Sequence, residues 1–236
     1  MKSKTTEVLA LIATIFTYIW VIGVIWDLNL KGSIETVDQA LAYSSNPDTL
    51  YTLNYINVGL LTIFTTMMFA GIYEYFKKSL GVWAAIGILF VPIYCTLNLL
   101  TYISQVTIIP RILSLAETSA YRSEAELLAV LLTQNWDGSA VSAINLMAYA
   151  LLGIPSIIYG SAMLELGRLG VIAGSLLALS GIGSILDFMG VIMQNSTLAS
   201  FTLISGFIYA VGLIFITLIF LRSPKSDGQY TNSMEC

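Results

Sequence analysis

The feature that most constrains the fold is a series of six apolar runs, each about as long as a lipid bilayer is thick. A helix needs about 20 mostly apolar residues to cross the hydrocarbon core, and 57% of this 236-residue chain is hydrophobic while only 10% is charged. The runs occupy about residues 8–26, 53–76, 81–109, 139–163, 169–193 and 199–221. We therefore predict an all-α membrane protein, with a single six-helix bundle over residues 1–222 and a flexible tail at 223–236.

The composition argues against several kinds of site. The chain has no histidine and only two cysteines, Cys95 and Cys236, so it cannot supply the nitrogen and sulfur ligand sets of zinc, haem or copper. We predict no metal and no cofactor. The same absence of histidine removes Ser-His-Asp and Cys-His catalysis. A net charge of −4 without any basic stripe argues against nucleic acid as a partner.

The basic residues predict how the chain sits in the membrane. Six spans place both termini on one side, and seven of the ten lysines and arginines fall on that side. By the positive-inside rule this side is the cytoplasm, which predicts a multi-pass protein of the cell membrane with both termini cytoplasmic.

The outer loops are predicted to be helical. The loop before the second span has a sequence typical of a capping box, Thr36 with Gln39. The loop before the fourth span has a second one, Ser123 with Glu126. Because the apolar run that follows is too short to span and is flanked by charge, we predict that residues 110–138 contain an amphipathic helix at the membrane interface.

One carboxylate lies inside an apolar run. Asp187 is the only charged residue placed within the hydrocarbon, and an ionisable residue there has to face protein or water, which makes it a candidate functional residue. Helical spacing puts Ser180, Gly183, Ser184 and Gly190 on its face of the fifth span. Small residues on that face predict close packing against neighbouring helices, a role that is more often structural than functional.

Polar side chains on four other spans repeat at helical spacing and reach a depth similar to that of Asp187, about 9 Å below the outer end of its helix. They are Asn54 and Asn57 on the second span, Tyr94, Asn98, Thr101, Tyr102 and Gln105 on the third, Ser142, Asn145 and Tyr149 on the fourth, and Thr202, Ser205 and Tyr209 on the sixth. We predict an outward-facing polar pocket with Asp187 at its base. The predicted ligand-binding residues are Asp187, Asn98, Asn145, Tyr94, Tyr102, Tyr149, Asn57, Tyr209 and Ser184.

The alternative is that these polar groups only join the helices. An intramembrane polar group has to be satisfied whether or not a ligand exists, and interhelical hydrogen bonds worth about 0.6 to 2 kcal/mol each would hold such a bundle together. The sequence leaves both interpretations open.

The region of the fourth and fifth spans contains the stretch GIPSIIYGSAMLELGRLGVIAGSLLALSGIGSILD, residues 153–187. With its helical loop after the first span, an aromatic-basic turn after the second and a long segment before the fourth, the chain resembles a family of six-helix prokaryotic membrane proteins catalogued as a domain of unknown function. The turn that commonly reads Pro-Arg in that family reads Gly167-Arg168 here, and the histidine often found before the fourth span is missing. The resemblance implies a bacterial or archaeal cell membrane and brings no activity or functional residue with it.

Three functions stay open. The first is a non-enzymatic module that binds, transports or senses a small solute or a lipid head group in the pocket. The second is an intramembrane enzyme in which Asp187 acts as general acid or base with Tyr94, Tyr149 or Tyr209 on a lipid or isoprenoid substrate. The third is an accessory subunit that packs through small-residue helix faces against another membrane protein or a second copy of this chain. The lipid bilayer is a partner in all three.

Overall fold

The computed structural model describes residues 4–32, 34–45, 47–116 and 120–222. These residues form eight α-helices and no strand. The helices are α1 Lys4–Lys31, α2 Val37–Ser45, α3 Thr49–Leu80, α4 Val82–Ala116, α5 Arg122–Leu132, α6 Ala140–Met163, α7 Gly167–Ile192 and α8 Phe201–Arg222. A short 3-10 turn at Leu198–Ser200 precedes α8. The predicted tail at 223–236 lies outside the described residues.

Six of the helices, α1, α3, α4, α6, α7 and α8, are long and apolar enough to cross a membrane. This confirms the predicted all-α, multi-pass architecture. The helices extend beyond the apolar runs: α3 begins at Thr49 and α4 continues to Ala116. Hydropathy marks only the apolar part of a helix, whereas backbone hydrogen bonding continues until a cap or a break ends it. At the start of α3 that cap is Asp48, whose carboxylate accepts from the Tyr51 N–H at 2.7 Å.

One predicted capping box is confirmed and the other is wrong. The Gln39 N–H donates to Thr36 Oγ1 at 3.2 Å, and the Thr36 N–H donates to Gln39 Oε1 at 3.1 Å. In contrast, α5 begins at Arg122, one residue before the predicted cap at Ser123. The Arg122 guanidinium donates to the Glu126 carboxylate at 2.9 Å, one helical turn away, so this carboxylate serves an i,i+4 ion pair instead of a cap.

The six long helices form a closed ring. Each contacts the next in the order α1, α3, α4, α6, α7 and α8, and α8 returns to contact α1. The ring is joined at this last contact by Thr14 and Thr217, whose hydroxyls lie 2.9 Å apart, and by the Tyr18 hydroxyl, which donates to the Ala210 carbonyl at 3.2 Å.

The two short helices cover one end of the ring. α2 contacts α4 and α5, and α5 contacts α4 and α6. We call α2, α5 and the adjoining segment 133–139 the cap, and the end of the ring where they lie the cap end. The opposite end of the ring holds the apolar core. Its largest fully buried side chains include Met68, Phe69, Ile72, Tyr159, Met163, Leu177, Leu213 and Ile216.

Helix α7 approaches both neighbours at backbone distance. A Cβ atom built on Gly153 of α6 would lie 2.6 Å from the Gly181 carbonyl oxygen of α7, and one built on Gly181 would lie 2.6 Å from the Gly153 carbonyl oxygen. On the other side of α7, a Cβ on Gly183 would lie 2.9 Å from the Ser205 Cβ of α8. Inside a membrane the hydrophobic effect does not drive helices together, because lipid tails are as apolar as the side chains. Close packing contacts of this kind therefore supply much of the free energy of helix association.

Replacing Gly181 with alanine tests this contact. The added methyl group meets a backbone oxygen that cannot rotate away, so we expect the free energy of unfolding to fall by about 1–3 kcal/mol. Reversible unfolding in mixed micelles, followed by circular dichroism, measures this change. Gly206→Ala in α8 is the matched control, because a Cβ there meets nothing within 4 Å. Equal effects of the two substitutions would show that the α6–α7 approach is not a constraint.

Candidate functional site

A cavity of about 90 Å³ lies at the centre of the ring. Every long helix contributes to its wall. The lining residues are Thr17 and Trp20 of α1, Leu61 and Thr65 of α3, Tyr94 of α4, Leu146, Tyr149, Leu152, Gly153 and Ser156 of α6, Ser180, Gly181, Ser184 and Asp187 of α7, and Ser205, Gly206 and Tyr209 of α8. This volume has room for several water molecules or for a solute with a few heavy atoms.

Five of the nine residues predicted from the sequence meet in this cavity: Asp187, Ser184, Tyr94, Tyr149 and Tyr209. The Asp187 side chain is buried, with 2% of its surface exposed. Its position along the cavity differs from the prediction. Because α7 runs toward the cap end and Asp187 is the last of its four lining residues, the carboxylate lies at the edge of the cavity nearest the cap and not at its base.

Three other predicted residues form a second layer behind the wall. The Tyr102 hydroxyl lies 2.8 Å from that of Tyr149 and beside the Asn145 side chain. Asn98 is fully buried beside Tyr94 and Tyr149. The Asn98 side chain lies within hydrogen-bonding reach of the Tyr94 and Tyr149 hydroxyls, and the Asn145 side chain lies within reach of the Tyr102 hydroxyl. These polar groups link α4 to α6 and extend the polar character of the cavity.

The ninth predicted residue, Asn57, lies away from the cavity. Its Nδ2 donates to the Phe16 carbonyl at 3.1 Å, which joins α3 to α1. Asn57 therefore fits the alternative interpretation, in which an intramembrane amide links two helices.

Four polar or aromatic lining residues escaped the sequence analysis: Thr17, Trp20, Thr65 and Ser156. Two of them give little signal because their hydroxyls are satisfied within their own helices. Thr17 donates to Ala13 O and Ser156 donates to Leu152 O, each at 2.8 Å. A threonine or serine in a membrane span commonly bonds this way whatever it faces, so only the packing of the ring shows which ones line the cavity.

The wall of the cavity favours a positively charged group. It carries the Asp187 carboxylate, the hydroxyls of serine, threonine and tyrosine residues, and four aromatic rings, and none of the lining residues identified in the described chain is basic. Carboxylates and the faces of aromatic rings both attract cations. A metal site has less support, since within the described ranges no three Asp, Glu or Cys side chains come together.

A second polar cluster lies beneath the cap. Asp27 is buried at the end of the first span, and its carboxylate accepts a hydrogen bond from the Tyr43 hydroxyl of α2 at 2.7 Å. The same hydroxyl accepts from Asn135 Nδ2 at 2.8 Å. Burial, followed by the nearby Asp27 carboxylate, raises the pKa of Tyr43 far above its ordinary value. The pattern of spans and loops does not predict this cluster, because it forms only when α2 folds back over the ring.

Comparison of the chain with family models, with curated proteins and with solved structures finds no match. The resemblance to a six-helix prokaryotic family therefore stays a prediction, and the cavity has to be interpreted from its own chemistry.

The Tyr43–Asp27 pair predicts a pH-dependent contribution to stability. Since the folded protein holds the Tyr43 proton more tightly than the unfolded chain, this contribution is complete below the ordinary tyrosine pKa of about 10 and declines as pH rises above it. We expect Tyr43→Phe to lower the free energy of unfolding by about 1–3 kcal/mol at pH 7, and the difference from wild type to shrink above pH 10. Chemical unfolding at several pH values measures it. If the difference in free energy of unfolding between wild type and Tyr43→Phe stays constant up to pH 11, the Tyr43–Asp27 pairing is contradicted.

Proposed function

We propose that this protein binds a small molecule bearing a positive charge in the cavity around Asp187, as the recognition step of a transport or sensory function. The observation that carries the proposal is the convergence of one buried carboxylate with hydroxyls and aromatic rings from six helices on one cavity. The bundle needs no such cavity for its own stability, because close packing is what stabilises membrane helices.

The chemistry of the wall supports a cation over other ligands. A cation that leaves water loses its hydration, and a buried carboxylate with nearby hydroxyl oxygens compensates for that loss. Rings such as those of Trp20, Tyr94 and Tyr149 add attraction if the cation is an organic ammonium group. An anion would meet Asp187 without any compensating positive charge among the lining residues, so it is disfavoured.

We also propose the orientation predicted from the sequence, with the termini in the cytoplasm of a cell and the cap outside. Of the described basic residues, five lie at helix ends opposite the cap, namely Lys4, Lys77, Lys78, Arg168 and Arg222, and three lie toward the cap end, namely Lys31, Arg111 and Arg122. This excess supports the orientation by the positive-inside rule. Acidic residues lie in or beside the cap: Glu35, Asp38, Asp48, Glu124, Glu126 and Asp137. In this orientation the cavity lies toward the outer half of the bundle.

An intramembrane enzyme is the second candidate. Asp187 and the phenols of Tyr94, Tyr149 and Tyr209 line the same cavity, so a general acid and base could act on one bound lipid or isoprenoid substrate. Incubation of the purified protein with a membrane lipid extract separates the two proposals. Chemical turnover that requires Asp187 would favour the enzyme.

The binding proposal is tested at Asp187. We expect methylammonium to bind the purified wild-type protein, and Asp187→Asn to weaken this binding at least tenfold, because the amide keeps the shape and part of the hydrogen bonding but loses the charge. Isothermal titration calorimetry in detergent measures both affinities. Methanol, which is neutral and has the same number of heavy atoms, should bind neither protein with comparable affinity.

Asp137→Asn is the matched control, since it makes the same chemical change at an exposed position beside α6. It should leave methylammonium binding unchanged. Binding of wild type and Asp187→Asn with equal affinity would refute the proposal, provided that both proteins have the same far-ultraviolet circular dichroism and melting temperature.

The orientation is tested by cysteine labelling in a background in which Cys95 and Cys236 are serine. A cysteine at Ser79, which is exposed near the turn between α3 and α4, should react with a membrane-impermeant maleimide only after the cells are opened. A cysteine at Asp137 should react in intact cells. The reverse pattern would place the cap in the cytoplasm.

A further inference from the structure

Both ends of the cavity are closed by packed side chains. At the cap end, the lining residue Leu61 belongs to a buried cluster with Tyr51, Tyr55, Val58 and Tyr102, against which Trp20 packs. The ring centroids of Tyr51 and Tyr55 are 4.7 Å apart, and those of Tyr55 and Tyr102 are 6.3 Å apart. These three tyrosines form a continuous layer between the cap and the cavity, which we call the tyrosine layer.

The cap is fixed over the tyrosine layer by hydrogen bonds. Gln105 of α4 donates from Nε2 to the Leu132 carbonyl at 2.9 Å and accepts from the Gln134 N–H at 3.0 Å. The Tyr55 hydroxyl donates to the Gln134 side chain at 3.2 Å. A path from water through this end would have to break buried hydrogen bonds.

The opposite end is filled by the apolar core. Phe69 of α3 and Tyr159 of α6 meet across the ring with centroids 6.1 Å apart, and the Tyr159 hydroxyl is bound to the Ala84 carbonyl at 2.8 Å. Both side chains are fully buried. A polar solute in the cavity has no hydrated path through this end of the bundle.

The side of the ring is different. Among the lining residues that the structure describes, Gly206 alone is exposed instead of buried or half-buried, and it lies between the exposed residues Leu203 and Phe207 of α8. A Cβ built on it would meet no atom within 4 Å. A residue that lines a cavity and also faces the outside marks the place where the cavity reaches the surface.

The contact between α1 and α8 explains why the opening lies there. The two helices are joined at Thr14 and Thr217 and again at Tyr18 and Ala210. One turn nearer the cap, the wall consists of Trp20, which is partly exposed, and Gly206, which has no side chain to fill the gap.

The opening faces the hydrocarbon. Gly206 lies within the span Leu198–Arg222, five residues or about 8 Å from the start of α8 at Phe201. Its exposed neighbours on α8 are apolar: Leu203 is 81% exposed and Phe207 is 71% exposed. Lipid chains are the surroundings that such a surface meets in a membrane.

We propose that the cavity opens sideways into the bilayer between α1 and α8, and that its occupant is the ammonium group of a single-chain amphiphile whose alkyl chain remains in the lipid. This inference rests on the proposed function, because Asp187 is again the group that attracts the cation. A phosphate-bearing head group does not fit, since none of the residues found to line the cavity is basic. The small volume likewise favours an amine over a large head group.

The experiment uses Trp20 as the reporter, in a variant in which Trp26, Trp83 and Trp136 are phenylalanine. The protein is placed in phosphatidylcholine nanodiscs, and 6-bromoundecylammonium is added as a quencher of tryptophan fluorescence, since a bromine in the middle of the chain lies near Trp20 when the ammonium group is in the cavity. We expect saturable quenching of Trp20 that Asp187→Asn weakens at least tenfold. The uncharged 6-bromoundecanol, which enters lipid but lacks the ammonium group, should quench weakly and without saturation.

The opening is tested by a plug that is added after folding. Gly206→Cys, in a background in which Cys95 and Cys236 are serine, is purified and then reacted with benzyl methanethiosulfonate. We expect the benzyl group to weaken the saturable quenching at least tenfold, and treatment with dithiothreitol to restore it. Leu203→Cys in the same background is the control, because Leu203 is 81% exposed on α8 and does not line the cavity, and its reaction with the same reagent should leave the quenching unchanged. Because the modification is reversible, a misfolded variant cannot produce this pattern.

The outcomes separate the two proposals. If methylammonium binding requires Asp187 but quenching by the bromoalkylammonium is unaffected by the plug, the lateral opening is wrong while the cation site stands. If neither amine depends on Asp187, both proposals fail. Quenching that is equal in all variants reflects partition into lipid and overturns the lateral opening.

Discussion

The backbone contacts of α7 fix the centre of this bundle. Gly181 brings α7 against α6, and Gly183, two residues later on another face of the helix, brings it against α8. Asp187 follows Gly183 by one turn, so its carboxylate cannot rotate toward lipid without separating α7 from α8. In a bilayer, helices associate through van der Waals packing and interhelical hydrogen bonds. The position of the Asp187 carboxylate in the wall of the cavity is therefore set by glycines, which have no side chains.

A closed ring of six helices makes a central cavity possible. In a bundle of four helices the side chains of opposite helices meet at the axis and fill it, whereas six helices in a ring leave an axis that large side chains have to occupy. At one end Phe69 and Tyr159 do so. Along the cavity, Gly153, Gly181 and the nearby serines are too small to reach across. The cavity is thus the part of the axis where small residues replace large ones.

The fold could be predicted from the sequence, but only part of the site could. Apolar runs of about 20 residues identify spans because every backbone polar group in the hydrocarbon has to be satisfied within a helix. The face of Asp187 follows from helical spacing. Spacing within one helix does not say which neighbour a side chain meets, and so it cannot distinguish Asn57, which is bound to the Phe16 carbonyl, from Tyr149, which faces the cavity.

Contacts between the cap and the long helices also could not be predicted from the sequence. Asp27 lies at the end of the first span and Tyr43 lies in α2, and their hydrogen bond depends on how α2 folds over the ring. Local signals of similar strength also gave different results: the box at Thr36 forms, whereas at Ser123 a competing ion pair engages Glu126. This competition is decided by Arg122, which stands just before the motif and is therefore not part of it.

A carboxylate differs from the other polar groups of the cavity wall in how it can be buried. The serines of the cavity show how a polar group can be buried at little cost: Ser156 and Ser180 donate to carbonyls of their own helices at 2.8 Å, and Ser184 does so at 3.0 Å. An ionised aspartate accepts hydrogen bonds and donates none, so it cannot use the helix carbonyls in this way. A charged aspartate costs about 2.5–3.5 kcal/mol at the centre of a span on insertion scales, and less toward the helix end, where Asp187 lies. Under the proposed function, the cation that the carboxylate binds offsets this cost.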